Sequence, residues 1–183
     1  MSQMSNHDLL IRTASGLIRR KGYAGVGLAE ILTEAGLPKG SLYYHFPRGK
    51  PQLAAAATLW FGDMVRARID ECFGSADGFA HGARRLCLEI AELALHKGRV
   101  SACPVMSILA ATTEEPLLQD AARQVHRAWT DCAAGHAVRF GVPDADAVAL
   151  DLHIRLQGAW VLAYAEQSAM PLQFLADHYR AER

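Results

Sequence analysis

An all-α fold is the expectation from this sequence, and three observations carry it. Apolar residues recur at spacings of three and four along nearly the whole chain, strand-like alternation appears nowhere, and glycine and proline cut the sequence into helix-length pieces. About nine helices are expected, in an amino-terminal three-helix unit over residues 1–48 and a larger helical body over residues 49–183.

Each element has its own warrant. In the first helix Leu10, Ala14, Leu17 and Ile18 form one stripe, Arg19, Arg20 and Lys21 make a basic last turn, and Gly22 stops it. Leu28, Ile31 and Leu32 carry the second to Ala35 and Gly36; Gly27 stands at its N-cap with Glu30 three residues on, a capping box without its hydroxyl. The third occupies GLPKGSLYYHFPRGK, residues 36–50, where turn residues on both sides leave room for about two turns. A fourth starts near Lys50, with Pro51 in its first turn and a stripe of Leu53, Ala57, Trp60, Phe61 and Met64. After GSADG at 74–78, a helix over 79–96 carries Leu86, Ile90, Leu93 and Ala94. ACPVMSILAATTEEP supplies a short proline-started helix and a loop ending at Pro116. A long helix over 117–140 holds Val125, Trp129 and Cys132 inside and stops at GVP, Asp144 opens another over 145–168, and Pro171 begins the last, to about Arg180.

Composition narrows the class. The chain has 183 residues, 51% of them hydrophobic, which gives it enough apolar surface for one or two packed cores. Its zero net charge conceals a polarity: residues 1–50 carry seven Lys/Arg against three Asp/Glu, and the remainder twelve against sixteen. A basic head on an acidic body points to a polyanion at one end, and DNA or RNA has that sign. No stretch reaches the length of a membrane span and the start lacks the order of a signal peptide, so a cytoplasmic protein without a membrane partner is expected. Cys72, Cys87, Cys103 and Cys132 are widely spaced without a CxxC pair, and the eight histidines are scattered where a helical site would want pairs three or four apart. No metal and no cofactor are therefore expected.

The third helix carries the sharpest signal. Leu42 and Phe46 share the face that would bury it, leaving Lys39, Gly40, Ser41, Tyr43, Tyr44 and His45 outward on a helix too short to be stable alone. Two helices joined by a glycine turn, the second short and polar-faced, make a helix-turn-helix whose second member enters the major groove. Tyr43 and His45 then suit phosphate oxygens, Lys39 and Tyr44 suit base edges, Gly40 admits a close backbone approach, and Lys50 meets a phosphate at the start of the next helix. An enzyme finds little support: GxSxG, HExxH and a phosphate loop are all missing from the sequence. A small helical enzyme is the remoter alternative, and a redox-sensing regulator that uses Cys103 as a reactive thiol is the nearer one.

IRTASGLIRRKGYAGVGLAEILTEAGLPKGSLYYHF, residues 11–46, resembles the DNA-binding domain of the TetR family of bacterial repressors, through KGY, AG, KGSLYYHF and the spaced apolar positions. ACPVMSILAATTEEPLL at 102–118, with the FPRGK turn, is similar to the LmrA/YxaF-type subgroup. Gly27 and Pro38 stand where many relatives carry a threonine and a serine, so the contacts of those hydroxyls do not carry over. The resemblance implies a homodimeric regulator on palindromic operator duplex DNA, released when a small molecule binds its carboxy-terminal body. In that subgroup flavonoid-like or drug-like aromatic compounds act as inducers of efflux or catabolic genes, and a small aromatic or drug-like effector is expected here.

The residues bear on both expectations. Leu152, Leu156, Trp160 and Tyr164 recur every four residues, widened by Val148, Ile154 and Val161, and residues 145–180 are read as a four-helix dimer interface. For the effector, Trp60, Phe61, Met64, Cys103, Met106, Leu109, His126 and Trp129 are the candidate lining, an aromatic and methionine set suited to a flat apolar ligand.

Overall fold

The computed structural model describes residues 4–109 and 115–180. Among them are nine helices: α1 (Asn6–Lys21), α2 (Leu28–Ala35), α3 (Lys39–His45), α4 (Lys50–Gly74), α5 (Phe79–Ala94), α6 (Pro104–Leu109), α7 (Pro116–Arg139), α8 (Ala145–Glu166) and α9 (Met170–His178). The all-α expectation holds, with one local exception. Between α5 and α6, β1 (Leu95–His96) and β2 (Arg99–Val100) pair antiparallel, Leu95 opposite Val100 and His96 opposite Arg99. The helix expected over 79–96 therefore ends two residues early, at Ala94, and HKGR is a hairpin turn: Lys97 and Gly98 both take positive φ, 50° and 76°, as two-residue hairpin loops require. Two residues per strand are too few for alternation to show in sequence. Part of the loop expected before Pro116, residues 110–114, lies outside the described residues.

The chain forms two compact units. The first holds α1 to α3, α4 as far as Asp63, α6, and α7 as far as Val125; the second holds the remainder of α4 and α7 together with α5, the hairpin, α8 and α9. As a compact body the first unit therefore runs past residue 48, where the sequence suggested a boundary, because the apolar stripe of α4 continues through Phe61 and α6 packs on α1.

In the first unit, the Ser5 hydroxyl caps α1 by accepting from the Asp8 N–H at 3.1 Å. Leu10, Ala14, Leu17 and Ile18 are buried with Val26, Ile31, Leu42 and Phe46, so the three-helix core uses the stripes read from the sequence. Gly36 ends α2 in the left-handed region, φ 65°, its N–H reaching the Leu32 and Thr33 carbonyls, and this tight reversal aims α3. Glu30 does not complete a capping box; its carboxylate pairs with Lys21, while Arg20 donates to Glu34 at 2.8 Å, and the two ion pairs tie α1 to α2.

In the second unit, α5 packs against α8 and α9. Gly82 lies so close to the Phe73 ring that a β-carbon there would overlap it. The Arg139 guanidinium donates to the Phe73 carbonyl at 2.6 Å, fastening the ends of α4 and α7. Two hydrogen bonds set the rotation of α8: the Trp160 indole donates to the Ser101 carbonyl at 2.9 Å, and the Gln167 amide to the Val100 carbonyl at 3.1 Å.

That rotation corrects the interface reading. Leu152, Leu156 and Trp160 are buried within the protomer; of the four-residue stripe only Tyr164 is exposed. The apolar residues that α8 and α9 present outward are Leu150, Ile154, Val161, Leu162, Met170 and Phe174, the last 75% exposed. Both faces of α8 are apolar, so periodicity alone could not say which one the protomer consumes.

Candidate functional site

Helix α3 is built to present one face. Leu42 and Phe46 anchor it with almost no exposure, and the Phe46 N–H donates to the Leu42 carbonyl at 2.7 Å. Tyr44 stands 82% exposed and Tyr43 45%, with Lys39 and Gly40 exposed beside them; Ser41 is half-buried. His45 is less outward than the sequence suggested. It joins an aromatic cluster in which the His7 ring stacks on Phe46 at 5.1 Å and meets His45 edge-on at 5.6 Å, so α1 braces the end of α3. A β-carbon on Gly40 would meet nothing within 4 Å, so no packing inside the chain requires glycine there.

Charge is sorted on this unit. Arg20 and Lys21 are engaged by Glu34 and Glu30, and the Arg12 guanidinium lies over the Trp60 ring at 5.7 Å. Lys39, Arg48 and Lys50 make no ion pair among the described residues. The Lys50 ammonium sits 4.3 Å from the centre of the Tyr23 ring, and burial lowers its pKa. A phosphate at the start of α4 would restore what that ammonium loses in solvation.

The second unit contains a narrow apolar cavity. Val65 and Ile69 of α4, Leu86 and Ile90 of α5, Trp129 and Ala133 of α7, and Ala149, His153, Leu156, Gln157 and Trp160 of α8 line it. Its internal space is about 30 Å³, room for a water molecule or so. Drug-sized ligands occupy roughly 300–1,000 Å³, so admission of one requires side chains to move. His126 and His153 share a hydrogen bond at 3.0 Å, their rings perpendicular, with the Trp129 ring 5.5 Å from His126. The Gln157 side-chain oxygen is buried and accepts no hydrogen bond among the described residues.

The eight residues expected around an effector divide. Trp129 lines the cavity, and His126 touches it through His153. Phe61 and Cys103 are buried in the first unit, Trp60 lies under Arg12, Met106 is half-buried, and Leu109 is 38% exposed. Met64 borders a separate cleft with Arg68, Glu89 and Leu93. The correction follows from helical phase. Val65 and Ile69 lie four apart and share the face of α4 that lines the cavity, while Met64 turns to another side. Trp160, assigned from the sequence to an interface, belongs to this cavity, and His153 and Gln157 were not singled out. Cys103 is shielded as well, burial pushing its thiol up to about 11.

Two family profiles cover most of the chain. Bacterial regulatory proteins of the tetR family match residues 10–57, and the transcriptional regulator LmrA/YxaF-like C-terminal domain matches residues 80–178. The chain belongs to the TetR family of transcriptional regulators. It is 29% identical to the HTH-type transcriptional regulator LmrA of Bacillus subtilis, over 94% of this chain and 93% of that protein, and 27% identical to YxaF of the same organism, over 96% and 94%. Reduced Escherichia coli NemR shares the fold, with a TM-score of 0.84 at 20% identity over 96% of this chain and 95% of that one. A regulatory protein TetR from Rhodobacter sphaeroides has a TM-score of 0.81 at 27% identity, over 95% and 96%. This TetR-family member is accordingly a DNA-binding regulator and not an enzyme. No helix among its described residues is long and apolar enough to cross a membrane.

The histidine pair has a measurable consequence. Burial, and the neighbouring His126, lower the His153 pKa to about 4, below the ordinary value of 6.5. The unfolded imidazole takes up a proton that the folded one refuses, so stability is full above pH 6.5 and falls as pH drops from 6.5 toward 4. Between about pH 7 and about pH 5, wild type should lose about 1–2 kcal/mol more than His153→Leu in urea unfolding. An equal loss in the two proteins would mean that His153 is not held neutral.

Proposed function

We propose that this regulator acts as a repressor in the cytoplasm, holding a palindromic operator through α3 and releasing it when a small aromatic or drug-like molecule enters the cavity of its second unit. The observation that carries the DNA half is the face of α3. Two exposed tyrosines and Lys39 project from a helix whose apolar side is consumed, and Arg48 and Lys50 flank it. Lys50, Tyr43 and His45 contact phosphates, Lys39 and Tyr44 reach base edges, and Gly40 and Ser41 sit against the duplex. Residues 1–48 are in this reading the DNA-binding domain, and 49–183 the effector and dimerisation domain.

The apolar walls of the cavity and its two tryptophans favour a flat, largely apolar effector. The redox alternative is less favoured, because a buried thiol protonated at neutral pH reacts slowly. For the dimer, the groove lined by Arg155, Ala159, Leu162, Met170, Phe174 and Leu175 supplies an apolar surface that the protomer leaves open. A two-fold pairing of α8 and α9 would close it.

Three outcomes are expected. With an operator selected by the protein from random duplexes, Lys50→Ala should weaken binding to all sequences and reduce the salt slope by about 1, whereas Lys39→Ala or Tyr44→Ala should relax preference at particular base pairs by about 1–3 kcal/mol. Equal affinity for operator and scrambled duplex at about 0.15 M salt refutes the reading. By light scattering the wild type should be a dimer and Phe174→Glu or Ile154→Glu a monomer, with native circular dichroism; a wild-type monomer at micromolar concentration refutes the assembly. Planar aromatic compounds should quench Trp129 and Trp160 and lower operator affinity by about 5- to 150-fold, and operator should lower ligand affinity by the same factor. A ligand that quenches both tryptophans without changing operator affinity is not an effector.

A further inference from the structure

A second cluster in unit two is not used by any of this chemistry. Asp70 of α4 and Cys132 and His136 of α7 bring a carboxylate oxygen, a sulfur and an imidazole nitrogen within 4.8 Å of one another. The Cys132 thiol donates to Asp70 Oδ1 at 3.2 Å, and His136 Nε2–H donates to the same oxygen at 3.0 Å. Cys132 and His136 are four apart on one helix, a metal-ligand spacing that a search for histidine pairs alone passes over.

We propose that Asp70, Cys132 and His136 form a binding site for a divalent transition-metal ion of the zinc class. Sulfur, nitrogen and oxygen donors together select such an ion over Mg²⁺ or Ca²⁺, which take oxygen. The geometry is close to what coordination needs. A tetrahedral ion with a bond to sulfur of about 2.3 Å and bonds to nitrogen and oxygen of about 2.0–2.1 Å separates its ligand atoms by roughly 3.3–3.6 Å. The two edges to the Asp70 oxygen, 3.0 and 3.2 Å, need to open by only a few tenths of an ångström, and the sulfur–nitrogen edge, no longer than 4.8 Å, to close by at most about 1.3 Å.

The ligands are already oriented. The His136 ring stacks on Phe73 at 5.3 Å, and Arg66 holds the other carboxylate oxygen of Asp70 at 3.3 Å. Such outer contacts fix a ligand's direction before the ion arrives. Asp70 is half exposed, which leaves a solvent side for entry and for a water as fourth ligand. Burial and the Asp70 carboxylate push the Cys132 thiol up to about 12, so binding at neutral pH releases the thiol proton to solvent as the metal–sulfur bond forms. The His136 ring offers Nε2 to the ion by carrying its N–H at Nδ1, and the ion replaces the two hydrogen bonds that Asp70 Oδ1 accepts. None of this depends on the effector or operator reading.

The test uses the full-length reduced protein after treatment with a chelator. Co²⁺ should bind at one equivalent per chain, giving the intense visible bands of a tetrahedral site and a near-ultraviolet thiolate band, and Zn²⁺ should displace it. Cys132→Ser should abolish the thiolate band, and His136→Ala and Asp70→Asn should each weaken Zn²⁺ by at least about 100-fold, above the 10- to 100-fold typical of an outer partner. Cys87→Ser should leave binding unchanged. Should a variant fail to fold, wild type answers alone: Zn²⁺ should protect Cys132 from alkylation, read by peptide mass. Tetrahedral bands that never appear, full affinity in any of the three folded variants, or equal alkylation of Cys132 with and without Zn²⁺ would overturn the site.

Discussion

The hydrogen bond from the Trp160 indole to the Ser101 carbonyl decides which side of α8 faces inward. A buried indole needs a partner for its N–H, and the residue that offers one lies just past the hairpin after α5. Truncating a tryptophan in a packed site costs about 3–5 kcal/mol, whereas the hydrogen bond itself contributes about 0.5–1.5, so packing supplies most of the energy and the bond supplies the direction. Once Trp160 points in, Leu152 and Leu156 follow at four-residue spacing, Gln157 and His153 enter the cavity wall, and Ile154, Val161 and Leu162 are left outside. One rotational choice thus sets both the lining available to a ligand and the surface available to a second copy.

Within the first unit the balance of forces is different. The ion pairs Arg20–Glu34 and Lys21–Glu30 are largely solvent-exposed, and such pairs contribute at most about 1 kcal/mol each. Burial of Leu42 and Phe46 stabilises more, by about 1.5–3 kcal/mol for each side chain. Helix α3 has seven residues and could not persist alone, so its outward side chains owe their position to those two anchors and to the His7 stack. The ion pairs do more for the field than for stability. By occupying Arg20 and Lys21 they leave Lys39, Arg48 and Lys50, on α3 and near the start of α4, as basic groups that make no ion pair among the described residues.

The cavity is apolar yet contains two features that an apolar ligand would not need. A buried amide oxygen on Gln157 and a neutral histidine pair are polar groups whose burial costs energy when they lack partners. A cavity of about 30 Å³ has no room for a drug-sized ligand, and any such ligand that enters must open its walls. Opening is the kind of discrete rearrangement through which binding shifts a two-state equilibrium, by no more than the ligand's preference for one state.

Local rules determined much of this protein. Turn residues and 3.6-residue periodicity located the helices to within a few residues, and Leu42 and Phe46 told which face of α3 is buried, because on a short amphipathic helix the apolar side has only one use. The tetR-like motif was legible for the same reason: its residues are contiguous. What contiguity cannot convey is phase. Helix α8 is apolar on two sides, and only the partners at Ser101 and Val100 determined which side turned inward. The cavity combines α4, α5, α7 and α8, and the Asp70, Cys132, His136 cluster joins residues more than sixty positions apart. Hydrophobicity and spacing constrain one helix at a time, whereas a site belongs to several, so its members were decided only when the helices packed.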